Sequence, residues 1–169
     1  AVEVKFVTPL LLSDPDVMPV PWPVRPLLAR SIARKRAGFV AQHYREIGGR
    51  SPLSTGTRAQ VEALRRELPD GVVVRYAFRH SPPFAREVLA GMAAAGVRRV
   101  IALPAYPQYT RSTTGSALRD AVRAARKAGV ELRDVPSFPD APGYVDAVAS
   151  QMLPLLDAGA RVVFTAHGL

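Results

Sequence analysis

Residues 97–135 read VRRVIALPAYPQYTRSTTGSALRDAVRAARKAGVELRDV, and this stretch decides the fold. Val100-Ile101-Ala102-Leu103 is a short β-favouring apolar run. A polar loop, Pro104 to Gly115, leads into a helix from about Ser116 to Lys127, stopped by Gly129. Val130 to Val135 is a second short strand. A strand, a helix and a strand joined in this way form a parallel βαβ crossover.

The same alternation extends outward. Upstream, Pro69-Asp70-Gly71 is a turn, Val72 to Phe78 a strand, and Phe84 to Ala95 a helix closed by Gly96. Downstream, Tyr144 to Leu156 is a helix, and the run from Arg161 leads into a last strand that ends at Thr165. The expected class is α/β: a parallel sheet of about four strands, at 72–78, 99–103, 131–135 and 161–165, with helices on both faces. Ahead of this alternation, Leu27, Leu28, Ile32, Val40, Tyr44 and Ile47 recur at helical spacing, with Gly38 a point of bending and Gly48-Gly49 the end. Ser51-Pro52 opens another helix, capped near Thr57 and running to Leu68. Ser13-Asp14-Pro15-Asp16 is a turn. Val17 to Pro26 places Pro19, Pro21, Pro23 and Pro26 around Trp22, which predicts an extended lip rather than a helix.

At 169 residues and 48% hydrophobic content, one soluble domain with a sizeable core is expected. Its apolar runs are too short and too often broken to span a membrane. The absence of cysteine excludes a disulfide framework and an iron–sulfur cluster held by this chain, and it fits a reducing compartment. No signal-peptide pattern opens the chain, and Ala1-Val2-Glu3-Val4 without a Met reads as an internal cut in a longer protein. The net charge of +9 favours anionic partners. Composition bias accounts for scattered arginines such as Arg119, Arg123 and Arg126; the cluster Arg34-Lys35-Arg36 invites a ligand.

The C-terminal strand ends gather at one rim of such a sheet, where open α/β folds place ligands. Three segments fall there. His167, in Thr165-Ala166-His167-Gly168, is a proton acceptor or metal ligand at the end of the last strand. The run Tyr106 to Ser116 carries several hydroxyls before a helix start, which suits either an anion or a capping cluster. Arg79-His80 adds cationic groups near the cleft, or simply forms a helix entry. His43 lies in a helical stretch and reads as surface or packing.

Five segments together resemble the ferrochelatases, the enzymes that insert ferrous iron into a porphyrin: residues 12–17 (LSDPDV), 47–53 (IGGRSPL), 76–80 (YAFRH), 106–116 (YPQYTRSTTGS) and 164–169 (FTAHGL). The similarity runs over essentially the whole chain. It implies a Rossmann-like domain, the first half of a two-domain fold that closes on a porphyrin cleft. Residues 1–169 then form a single domain without the family's opening strand and second domain, inactive by itself. The resemblance further implies that His167 meets iron or takes the pyrrole protons, and that Lys35 and Arg36 approach the propionates. Ser51, Tyr44 and Tyr106 contact the ring, and residues 10–36 form an apolar and basic lip that some members use at a membrane surface. Some relatives carry a cluster-ligating cysteine where Arg111 stands here.

The expected function is insertion of ferrous iron into protoporphyrin or coproporphyrin, with iron and porphyrin as substrates, no resident cofactor, and a cytoplasmic location or a peripheral membrane contact. Neutral imidazole suits proton acceptance from the ring, and an apolar lip beside cations suits a disc edged with carboxylates. A porphyrin-binding relative without catalysis is the alternative. A basic nucleic-acid-binding domain fits the charge, but no recognition pattern accompanies it, so nucleic acid is not an expected partner.

Overall fold

The computed structural model describes the backbone of residues 2–165 and the side chains from Thr8 onward. Among the described residues, six α-helices and two strands run in the order α1 (Val2–Ser13), α2 (Val24–Glu46), α3 (Leu53–Glu67), α4 (Ala85–Ala94), β1 (Arg99–Ala102), α5 (Ser116–Ala128), β2 (Glu131–Asp134) and α6 (Pro142–Asp157). A π-helical turn, Arg111–Gly115, leads directly into α5.

The 97–135 unit forms as its periodicity demands. β1 and β2 pair in parallel with Arg99 opposite Glu131, Val100 opposite Leu132, Ile101 opposite Arg133 and Ala102 opposite Asp134. Strand alternation sends Val100 and Leu132 to one face, where they meet Leu89, Met92 and Ala93 of α4 and Ala124, Ala125 and Ala128 of α5. The alanines let α4 and α5 approach closely. Gly129 closes α5 with φ +70°, a left-handed cap that favours glycine, and Val130 then turns back into the core.

Two of the four expected strands are absent from the sheet. Residues 72–77 are extended but outside any ladder; Phe78 makes only an isolated bridge to Phe84. Residues 161–165 are irregular, with Val163 and Phe164 more than 80% exposed. Both runs have strand composition, and what they lack among the described residues is a partner ladder for their N–H and C=O groups. The helices also fail to cover both faces, since Ile101, central in β1, is 73% exposed. The described architecture is therefore α/β and mostly helical, around a two-stranded parallel sheet.

The other elements refine the sequence reading. α2 runs unbroken through Gly38 and starts at Val24, because Pro26 falls in its first turn, where no intrahelical N–H bond is needed. α3 starts at Leu53, so Thr57 lies inside it rather than at its cap. Ser51 Oγ accepts the Leu53 N–H at 3.2 Å, and Arg58 and Arg65 reach Tyr76 Oη (3.0 Å) and the Val74 carbonyl (2.8 Å), fastening α3 to the 72–78 segment. α1 packs on α2, whose buried residues are the small Ala29 and Ala33.

Candidate functional site

The turn between α1 and the lip holds the most heavily bonded carboxylate of the described residues. Asp14 is buried, and its backbone carbonyl accepts the N–H groups of Val17 (3.1 Å) and Met18 (2.9 Å), while its Oδ1 accepts the Asp16 N–H at 3.0 Å. This is the Asx geometry that the Ser-Asp-Pro-Asp sequence favours. Oδ2 then looks into the protein. It accepts a short hydrogen bond from Ser116 Oγ, lies 3.0 Å from Arg79 Nη2 and sits 3.7 Å from His80 Nε2. Arg79 Nε donates to Ser116 Oγ at 2.8 Å, closing a ring of Asp14, Arg79 and Ser116. His80 Nδ1 is buried without a hydrogen-bond partner. Burial, then the adjacent Arg79 charge, push the His80 pKa below the usual histidine range, against a partial pull upward from Asp14 and Asp120. His80 is therefore neutral at pH 7.

Asp16 faces the other way. Arg111 Nε donates to its Oδ1 at 2.9 Å, and Arg119 makes a short bond to Oδ2. Burial raises the Asp16 pKa, but the two arginine hydrogen bonds and their charges outweigh it and hold the carboxyl below the ordinary carboxylate value. Around these two carboxylates lies an open cleft of about 960 Å³, bordered by Leu10, Tyr109, Leu118 and Val122 and by Arg123 and Arg126.

The hydroxyl-rich loop is used internally. Thr110 Oγ1 accepts the Thr113 N–H (3.2 Å) and lies 2.5 Å from Thr113 Oγ1; Thr114 and Ser116 are among the most buried side chains described. A Cβ on Gly115 would sit 2.8 Å from Tyr109 Oη, so glycine lets this turn approach the tyrosine without displacing its hydroxyl. Of the two readings open from sequence, capping and tertiary fastening describe these hydroxyls. The loop is pinned further by the Phe138 N–H, which donates to the Pro107 carbonyl at 2.9 Å and so joins the segments after β1 and β2.

The other expected site residues are distributed more widely. Lys35 and Arg36 are exposed on α2. Lys35, Arg34, Arg30, Ser31 and Leu27 line a shallow second hollow of about 420 Å³, which shares no residue with the first. Tyr44 is half-buried near the end of α2, and Ser51 sits half-buried in the turn that follows. Tyr106 is half-exposed in the loop after β1. Arg79 and His80 meet at Asp14, as partners of a buried acid. His167 lies outside the described residues. Among the described residues no three His, Asp or Glu side chains gather as a metal site, and no helix is long and apolar enough to cross a membrane. His43 packs at the surface, its Nδ1 2.9 Å from the Phe39 carbonyl and its ring against Phe39.

Sequence reasoning missed Asp14, Asp16, Ser116 and Arg119 as a connected set. Composition bias does not describe Arg119, which binds Asp16. The available signal was the pair of carboxylates in a four-residue turn, flanked by apolar chain, in a protein with a surplus of arginine.

Comparison with known proteins bears on the whole chain. The ferrochelatase family model matches residues 3–169. A ferrochelatase of Geobacter metallireducens is 38% identical over 167 residues, covering 94% of this chain and 53% of the relative. Those of Pseudomonas aeruginosa and Aquifex aeolicus are 37% and 34% identical, again over 94% of this chain and about half of each relative. The chain spans about half the length of the curated relatives it matches. With a match that starts at the third residue and runs through the turn, rim and loop just described to Leu169, the chain belongs to the ferrochelatase family.

Proposed function

We propose that this chain forms the porphyrin-gripping half of a chelatase that inserts ferrous iron into a porphyrin, releasing two pyrrole protons. The observation that carries the reading is the continuous family match over residues 3–169, which includes His167. In this reading His167 accepts a pyrrole proton or presents the iron, a task suited to a neutral imidazole near pH 7. Lys35 and Arg36, exposed on α2, approach the propionates as charge-assisted donors. Tyr106, Tyr44 and Ser51 meet the ring. The exposed apolar side chains Leu10, Leu11, Trp22, Val24, Leu27 and Leu28 form the mouth, which also suits a peripheral contact with a membrane surface. Arg79 and His80 support the rim through Asp14 rather than touching the ring. Residues 1–169 are one domain of a larger catalytic unit and do not turn over by themselves.

The test uses the protein that carries this chain, under anaerobic conditions, with ferrous iron and either protoporphyrin or coproporphyrin. Metal insertion is followed by the change of the porphyrin absorption and fluorescence. The wild type is expected to metalate one of the two. His167→Ala is expected to lose insertion by at least a hundredfold while still binding porphyrin. Intact turnover in His167→Ala would overturn the assigned role; absence of insertion by the wild type with either porphyrin would overturn the activity.

A further inference from the structure

Among the described residues, every hydrogen bond and ion pair that joins α1, the lip and α2 to the α4–β1–α5–β2 unit passes through Asp14 or Asp16. Helix packing follows the same division: α1 lies on α2, and α4 on α5. The links are long in sequence, from Asp14 to Ser116 and from Asp16 to Arg111 and Arg119. The inner arm, at Asp14, is buried; the outer arm, at Asp16, has a covered carboxylate and largely exposed arginines. What the two arms connect matters for the site. Seven residues beyond Asp16, Pro23 hands the chain to α2, the carrier of Lys35 and Arg36. Four residues before Thr110 stands Tyr106, on the loop whose end the clasp grips.

We propose that Asp14 and Asp16 are positioning residues: a two-armed carboxylate clasp that fixes the distance between the cationic helix α2 and the Tyr106 loop, and thereby the fit of a flat, carboxylate-edged ring. This rests on the porphyrin reading above for the identity of the ring. The clasp makes no contact with substrate. It acts by removing freedom from the lip, so that binding does not have to order it. A ring whose propionates and face must be met from two separate elements is sensitive to that spacing, and a loosened clasp weakens binding more than it slows insertion.

The experiment compares wild type, Asp16→Asn and Asp16→Glu in the full protein. Asp16→Asn discharges the outer arm and leaves buried Asp14 in place, so the fold is retained, which far-UV circular dichroism checks. Hydrogen exchange by mass spectrometry is expected to rise about fivefold or more in peptides spanning 14–24 and to stay unchanged in α4 and α5. Porphyrin affinity, measured by equilibrium titration without iron, is expected to fall three- to tenfold, with a parallel rise in KM and kcat within twofold. Asp16→Glu, which keeps the charge, is expected to recover most of both effects. Unchanged exchange in 14–24 would overturn the clasp. Faster exchange with unaltered porphyrin affinity would overturn its positioning role. Wild-type protein that binds porphyrin but inserts no iron would overturn the chelatase reading alone, because the titration still judges the clasp.

Discussion

Removing the Asp14 side chain tests the organisation of the rim most directly. In Asp14→Ala, Ser116 Oγ loses its acceptor at a position 1% exposed, and an unsatisfied buried hydroxyl costs about 1–3 kcal/mol. The Asp16 N–H loses its 3.0 Å Asx bond, about 1 kcal/mol. Arg79 loses a 3.0 Å ion pair, but its side chain is 27% exposed, so water takes up part of the loss and about 1 kcal/mol remains. The expected destabilisation is about 3–5 kcal/mol. Asp14→Asn keeps one acceptor oxygen, enough for Ser116 or for the Asp16 N–H but not for both, and loses the charge, so an intermediate loss of about 2–3 kcal/mol is expected. Urea unfolding of the protein carrying this chain, followed by far-UV circular dichroism, measures both. An Ala variant within about 0.5 kcal/mol of wild type would refute Asp14 as the hub of the rim. An Asn variant as damaged as Ala would refute the assignment of most of the energy to hydrogen bonds.

Three further outcomes follow from the packing and electrostatics. Because His80 titrates lower in the folded protein than its ordinary 6.5, the unfolded chain binds its proton first; its stabilising contribution is complete above about pH 6.5 and is lost as pH falls from there toward the depressed folded value, by at most about 1.4 kcal/mol per pH unit. His80→Gln is therefore expected to flatten the fall of stability between pH 7 and 5, and an unchanged pH profile would show that His80 is not held neutral. Leu89→Ala, at a position 5% exposed between α4 and α5, is expected to cost about 2–4 kcal/mol in the same unfolding assay. Gly115→Ala is expected to cost about 1 kcal/mol, because the new methyl meets Tyr109 Oη at 2.8 Å, and Tyr109→Phe in the same background is expected to recover part of it; no recovery would refute the clash.

The βαβ unit was legible because its signals are local. Val100 and Leu132 alternate into the core, Gly129 stops α5, and a polar loop lies between, all within 39 residues of continuous chain. The runs at 72–78 and 161–165 carry the same strand propensity, yet propensity describes a side chain that fits a pleated surface, not the ladder it pairs with. Val72, Val73, Val163 and Phe164 stay exposed where no neighbouring strand is described. Ile101 shows the energetic side of this. A parallel strand usually buries both faces, and leaving one large aliphatic group in water forgoes about 1.5–3 kcal/mol.

The rim was legible only in part, for a reason that follows from distance along the chain. Arg79, His80 and the 106–116 loop stood out because each combines polar groups with the end of a run of strand composition. Asp14 and Asp16 stood out only as turn formers, which they also are. Their second role needs residues about a hundred positions away, and a turn motif carries no information about what its free oxygens will face. Charge narrows the possibilities. Two acids within three residues, the first buried, require nearby cations, and in this chain those cations are arginines whose forked donors can each serve more than one acceptor: Arg79 bonds Asp14 and Ser116 together. Arg111 and Arg119 then divide the two oxygens of Asp16. The excess of basic residues that first suggested anionic partners is, at this rim, partly engaged in holding the protein's own acids. Lys35 and Arg36, by contrast, stand exposed on α2 with no carboxylate of the described residues paired to them in an ion pair.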